Sequence, residues 1–381
     1  MSLEAQFPDA PFLDVANPAF SLRSEPVREA RAQSWYARTP YGLAVLRHKE
    51  MGELLTHKSL IQGSHAWPAL NGVTSGTFAD WWNSSILVTE GDDHWRLRRL
   101  VNPAFSPKVV KALMPEFERI ANDLADGFIE SGSCDFMAEF ADPYAARVLC
   151  LLLGLPETEA PFILRTSATM GLALGVNFPD LVDEIEAATV ELGDYISEVL
   201  KARETDPGDD ILSTLVQVRA EGDRLSHDEL WNIALMLAFA GVDTTRNQLG
   251  LGMSMFAAHP EQWETLAADP SLDMAAATEV MRMRPTITWV SREATEDFEY
   301  GGVTIPQGTV LHLYSESAGT AHKTAKGTKV SVRTVKAPGF GPKGVLRCIL
   351  PFTIFLKLKD IGGNVLPPYD EEFREVAMDT A

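Results

Sequence analysis

Six consecutive residues near the middle of the chain, AGVDTT (Ala240–Thr245), set a carboxylate and two hydroxyls inside an otherwise apolar run. Threonine and aspartate back-bond to a helix and weaken its ladder, and a glycine there costs about 1 kcal/mol relative to alanine. Together they offer a locally opened groove holding an acid (Asp243) and an alcohol (Thr244). That is the equipment for delivering protons to a bound oxygen species. The same residues also fit a kinked helix whose hydroxyls satisfy their own backbone.

Two other groups carry charge at helical spacing. Glu279 and Arg282 stand three apart in EVMRMRP, so they share a helical face and can pair. Surface pairs of this kind are common and weak; buried among Ala275–Ala277 and Val280, the pair would instead cost about 3–5 kcal/mol to break from one side. His94 and Arg98, four apart in HWRLR, present donors suited to carboxylates or phosphates. A solvated basic face accounts for them equally well.

The elements that must hold these groups are mostly helices. Apolar residues recur at helical spacing over Met114–Ile129, with Pro115 near the start, and again over Leu181–Leu200. The acidic turn-rich ETDPGDD follows. The clearest helix begins at Ser226, where SHDE forms a capping box with Glu229. It runs to His259 and is stopped by Pro260. About thirty residues at 1.5 Å each span roughly 45 Å, and the apolar middle marks the helix as buried. Asp243, Thr244, Thr245 and Arg246 at its centre need a reason to be there. After Pro285 the pattern alternates around a Gly301-Gly302 turn and a Pro306-Gln307-Gly308 turn, as β-hairpins do. Helices first and a small sheet late make a mostly α chain with a small β portion, an α+β arrangement.

Composition narrows the function. The chain has 381 residues, 45% of them apolar, and a net charge of −20. No basic footprint for nucleic acid exists. No apolar stretch is long enough for a bilayer, and the acidic, proline-broken opening is unlike a signal peptide. A cytoplasmic protein without membrane attachment is the expectation. Cys134, Cys150 and Cys348 share no metal-ligand spacing and cannot all pair with one another, which fits a reducing compartment.

In their order and separation, these motifs resemble the cytochrome P-450 family, in its bacterial form a haem-thiolate monooxygenase. GDDHWRLRRLVNPAFSP looks like the family's C-helix, AFAGVDTTRN like its I-helix, EVMRMRP like the K-helix, and WVSREATEDFEYGGVTIPQGTVL like the strands that follow. The resemblance implies a single large helical domain with small β-sheets over residues 1–321. It implies that Asp243 and Thr244 relay protons, and that Glu279 and Arg282 support the haem-binding region. His94, Arg98 and Arg292 would hold the propionates of haem (heme b, iron protoporphyrin IX), where a guanidinium fits a carboxylate well. It further implies a small apolar organic substrate and electrons from a ferredoxin and ferredoxin reductase-type donor, since no flavin or dinucleotide fingerprint is present. Arg96, Arg99, Lys108 and Lys111, around the helix that carries His94, are the docking candidates for an acidic donor.

Residues 322–381 depart from the family pattern. The family's cysteine ligand sits in FGxGxRxCxG, and the nearest match is Cys348 in APGFGPKGVLRCILPF. Gly344 stands four before it as required, but Phe340 stands eight before it, and Leu346 and Leu350 replace the basic residue and the glycine. Composition shifts at the same place. Through Ala321 arginine outnumbers lysine 18 to 5, and from His322 onward lysine outnumbers arginine 7 to 3. A change of reading frame or a recombined tail would leave such a break. Cys348 remains the metal-ligand candidate, and a catalytically inactive, ligand-binding remnant is the alternative function.

Overall fold

In the computed structural model, which describes residues 3–320 except Pro18, residues 103–106, Gly132, residues 176–177 and residues 221–224, one helix organises the rest. It runs unbroken from His227 to Ala258, 32 residues and about 48 Å long. Its start is the expected capping box: Glu229 N donates to Ser226 Oγ at 3.1 Å, and Ser226 N donates to Glu229 Oε2 at 2.8 Å. Leu230, Ile233, Ala234, Leu235, Ala238 and Val242 are all buried. The helices Asp142–Leu153, Ala160–Gly171 and Val182–Thr205 pack around it. Burial on several sides accounts for the absence of a polar stripe along its middle.

The helix expected over Met114–Ile129 spans Pro107–Asp126 instead, with Pro115 inside it. Phe117, Ile120, Ala121 and Ala125 are buried along one side of that helix. Their burial outweighs the hydrogen bond that proline cannot donate.

Among the described residues, seven short strands stand apart from the helices. β1 (Tyr36–Thr39), β2 (Gly42–Val45), β3 (Leu60–Gln62), β4 (Trp289–Ala294) and β7 (Val310–Tyr314) form a five-stranded sheet in the order β1-β2-β7-β4-β3. β5 (Phe298–Tyr300) and β6 (Val303–Ile305) form the hairpin expected at Gly301-Gly302, where both glycines have positive φ. The strands from residue 289 onward were expected, but β1, β2 and β3 were not. They are three or four residues long; β2 pairs in parallel with the distant β7 and β3 antiparallel with the distant β4, while β1 pairs with its neighbour β2. At Gly42 a Cβ would lie 2.3 Å from the Val310 carbonyl oxygen, so the close approach of β2 to β7 requires glycine. The sheet has its own core of Tyr36, Leu43, Val45, Leu54, Leu311 and Leu313.

Candidate functional site

The basic residues come first, because their surroundings are the least ordinary. His94 and Arg98 lie on the helix Gly91–Val101, whose acids (Asp92, Asp93) sit in its first turn and whose bases (Arg98, Arg99) sit in its last, as the helix dipole favours. Arg98 is only 6% exposed. No hydrogen bond or ion pair among the described residues engages its guanidinium, and burial alone lowers its pKa. His94 has its Nδ1 buried without a hydrogen-bond partner. Burial, and secondarily the Arg98 charge, lower its pKa too.

Arg292 reaches the same region from β4. Its Nε donates to the Leu55 carbonyl at 3.2 Å and its Nη1 to the Ser291 carbonyl at 2.9 Å. It meets carbonyls but no carboxylate. Burial lowers its pKa, and Glu90 opposes that shift. Glu90 is the N-cap residue of Gly91–Val101 and also acts on His94, and its carboxylate accepts from the Gln62 amide of β3. β3 and β4 are therefore bound to the start of the helix, which brings Arg292 and His94 to one place. At Gly63, just past β3, a Cβ would lie 2.7 Å from the Arg292 carbonyl carbon, so only glycine admits the strand there.

Three cationic or protonatable side chains thus gather, with the Glu90 carboxylate acting on His94 and Arg292 and no carboxylate acting on Arg98. A buried cation left alone is costly. The donor set suits a ligand that carries two carboxylates on a flat apolar body, so the residues fit the propionates of haem.

The acid and alcohol of AGVDTT are fully engaged. Asp243 Oδ1 accepts from Arg246 Nε at 3.0 Å and Nη2 at 2.8 Å, and its Oδ2 accepts from Asn247 Nδ2 at 3.0 Å. Arg246 also reaches Asp142 at 3.3 Å, so one guanidinium is shared by two acids. Burial lowers the Arg246 pKa, but the two carboxylates outweigh it and the net shift is upward. Thr244 donates to the Ala240 carbonyl at 2.8 Å and Thr245 to that of Gly241 at 3.1 Å. The groove expected here is not open: the helix continues, and the hydroxyls back-bond to it.

Gln248, only 1% exposed, carries no signal in the motif but fixes the next segment. It donates to the Arg284 carbonyl at 2.9 Å and accepts from the Thr286 amide at 3.0 Å. A polar residue one helical turn after Thr244 in a buried helix is the only sequence cue for it. Asn247, Gly250 and Leu251 with Pro285, Thr286 and Thr288 line a cleft of about 560 Å³.

Glu279 and Arg282 pair as expected, at 2.7 and 2.5 Å, but Glu279 is 53% exposed. The flanking alanines do not bury it, because only Ala277 and Val280 face the core. Arg282 also donates to the Gly319 carbonyl. Arg96 is held by Glu229, the capping-box glutamate, and by Asp93, so it is a structural link to the central helix. Arg99 and Lys111 are exposed. Cys348 and the side chain of Lys108 lie outside the described residues.

Comparison with known proteins accords with this geometry. Residues 174–323 match the family described as Cytochrome P450. Over 318 residues the chain is 36% identical to luteothin monooxygenase of Streptomyces thioluteus, covering 83% of this chain and 78% of that protein. It is 36% identical over 230 residues to vitamin D(3) 25-hydroxylase of Pseudonocardia autotrophica, covering 60% of this chain and 56% of that protein. Among solved structures, the cytochrome P450 enzyme CxnD, for C–S bond formation in chuangxinmycin biosynthesis, superimposes with a TM-score of 0.74. That alignment has 28% identity and covers 91% of this chain and 88% of CxnD.

Proposed function

Because the chain belongs to the cytochrome P450 family, we propose that it is a haem-dependent monooxygenase placing one oxygen atom from dioxygen into a small apolar organic substrate. The observation that carries this is the trio His94, Arg98 and Arg292, in which Arg98 is buried with no carboxylate acting on it. In this reading His94, Arg98 and Arg292 would hold the propionates. Bound haem b would supply the activation of dioxygen. Asp243 takes up protons at the centre of the buried helix, and Thr244 turns its hydroxyl from the Ala240 carbonyl to pass them on. Arg246 and Asn247 hold the Asp243 carboxylate in one orientation. The surrounding apolar side chains keep bulk water out.

Cys348 would supply the thiolate. Electrons come from a separate ferredoxin-type partner and its reductase, docking near Arg99 and Lys111. A cytoplasmic setting agrees with this reading, and no helix among the described residues is long and apolar enough to cross a membrane.

A second reading has its own support in the altered residues around Cys348: an inactive remnant that keeps the fold and binds ligands. Colour separates the two. The purified chain is supplied with hemin, reduced and exposed to carbon monoxide. A thiolate-type Soret band supports the enzyme, and an apo spectrum supports the remnant.

A further inference from the structure

The cleft between the central helix and the segment after Arg284 has a charge balance of its own, set by two arginines and one glutamate among its lining residues. Arg23 is neutralised there: its Nε donates to the Glu316 carboxylate and its Nη2 to the Met283 carbonyl. Arg284 is not. It is half-buried, and among the described residues its guanidinium meets neither a carboxylate nor a carbonyl. Only its main chain is committed, the amide to the Val280 carbonyl and the carbonyl to Gln248. Thr286 and Thr288 bring hydroxyls that no described residue engages, and Met137, Leu251 and Pro285 bring apolar surface. One cation is therefore left over beside an apolar wall.

We infer that this cleft binds an apolar monocarboxylic acid, with its carboxylate on Arg284 and its body along Met137, Leu251 and Pro285. A guanidinium presents two parallel N–H donors that match a carboxylate. The charge count selects the class. A single uncompensated cation balances a monoanion, whereas a phosphate group carries a charge of about −1.5 to −2 and leaves the apolar wall uncovered. The volume of about 560 Å³ lies in the range of small-molecule sites, roughly 300–1,000 Å³. None of His94, Arg98 and Arg292 lines the cleft, so the site is distinct from the propionate donors and does not require haem. It does reach the acid of the central helix. Asn247 lines the cleft and donates from Nδ2 to Asp243 at 3.0 Å, so a bound acid lies against the residue that orients the Asp243 carboxylate.

Calorimetric titration of the full chain with decanoate tests this, with inorganic phosphate as the comparison and no hemin added. Decanoate should bind, and phosphate should bind about tenfold more weakly or not at all. Arg284→Gln should weaken decanoate binding about tenfold or more. Lys201→Gln, which removes an exposed cation from the helix Val182–Thr205, should change nothing. Thr288→Cys locates the acid: decanoate should slow labelling of this thiol by a small maleimide, mapped by mass spectrometry so that Cys134, Cys150 and Cys348 are read separately. The inference is overturned if the wild type binds no decanoate up to ~1 mM, or if Arg284→Gln stays within about twofold of it. It is overturned equally if decanoate leaves the labelling rate unchanged, or if phosphate binds as tightly. A Thr288→Cys thiol that resists labelling in the full chain would also sink it, because residues 321–381 or a second copy would then cover the cleft.

Discussion

Arg98 gives the protein opposite preferences with and without its cofactor. A buried guanidinium lacking a counter-anion destabilises the haem-free chain. Arg98→Met should therefore raise the stability of that form by about 1–3 kcal/mol, while lowering hemin affinity at least tenfold, roughly 1.4 kcal/mol. Thermal melts and hemin titrations of the same samples check both signs, and a mutant less stable without hemin would contradict the argument. On the central helix, Thr244→Ala should leave hemin content unchanged and uncouple oxygen consumption from product, read as peroxide released per oxygen consumed. The residue types were legible from sequence because helical spacing alone places His94 over Arg98 and Asp243 over Arg246. What spacing could not show is the sharing of Arg246 with Asp142, a hundred residues away, or the staple made by Gln248. Those bonds depend on which helices meet.

Elements are stabilised here largely by side chains borrowed from other elements. The helix Thr77–Ser84 has Gly76 at its N-cap and no cap of its own. Glu186, from Val182–Thr205, supplies one by accepting from the amides of Thr77 and Phe78. Burial by itself would raise the Glu186 pKa, but the two amides outweigh it and the folded value is lowered. The sign follows: Glu186 adds stability above the unfolded carboxylate pKa, near ~4.3. That stability is lost as pH falls through the lower folded value. Glu186→Gln should cost about 0.5–1 kcal/mol near neutrality and flatten the acid limb of the stability profile. Urea unfolding at pH 7 and across the acid range measures it, and parallel acid limbs would rule the cap out. The capping box at Ser226 was legible because both halves lie within four residues. The cap from Glu186 was not, and neither were β1, β2 and β3. The cap, β2 and β3 each depend on a partner more than a hundred residues away, and β1 on β2; three or four residues of alternation are too few to be told from a loop.

For the whole molecule, composition carries a signal of its own. The switch from arginine to lysine after Ala321 falls where family resemblance fades, and the nucleotide sequence around codons 315–350 will show whether a reading frame changes there. If Cys348 is the ligand, Cys348→Ser should abolish a thiolate-type carbon monoxide band, while Cys134→Ser and Cys150→Ser should not. Cys150 is already poorly suited: burial first, then the neighbouring Glu159 and Glu157, push its thiol up to about 12. The parallel pairing of β2 with β7 has a consequence in time. Leu43–Val45 finds its partner only at Leu311–Leu313. At about 5–20 residues per second, a ribosome needs on the order of tens of seconds to make the chain between them. Throughout that interval β1 can pair with one edge of β2 while the other stays unsatisfied, and the helices between can already pack locally. The nascent protein therefore carries an open strand until β7 emerges, and a chaperone that binds extended apolar segments would find Leu43-Ala44-Val45 before β7 does.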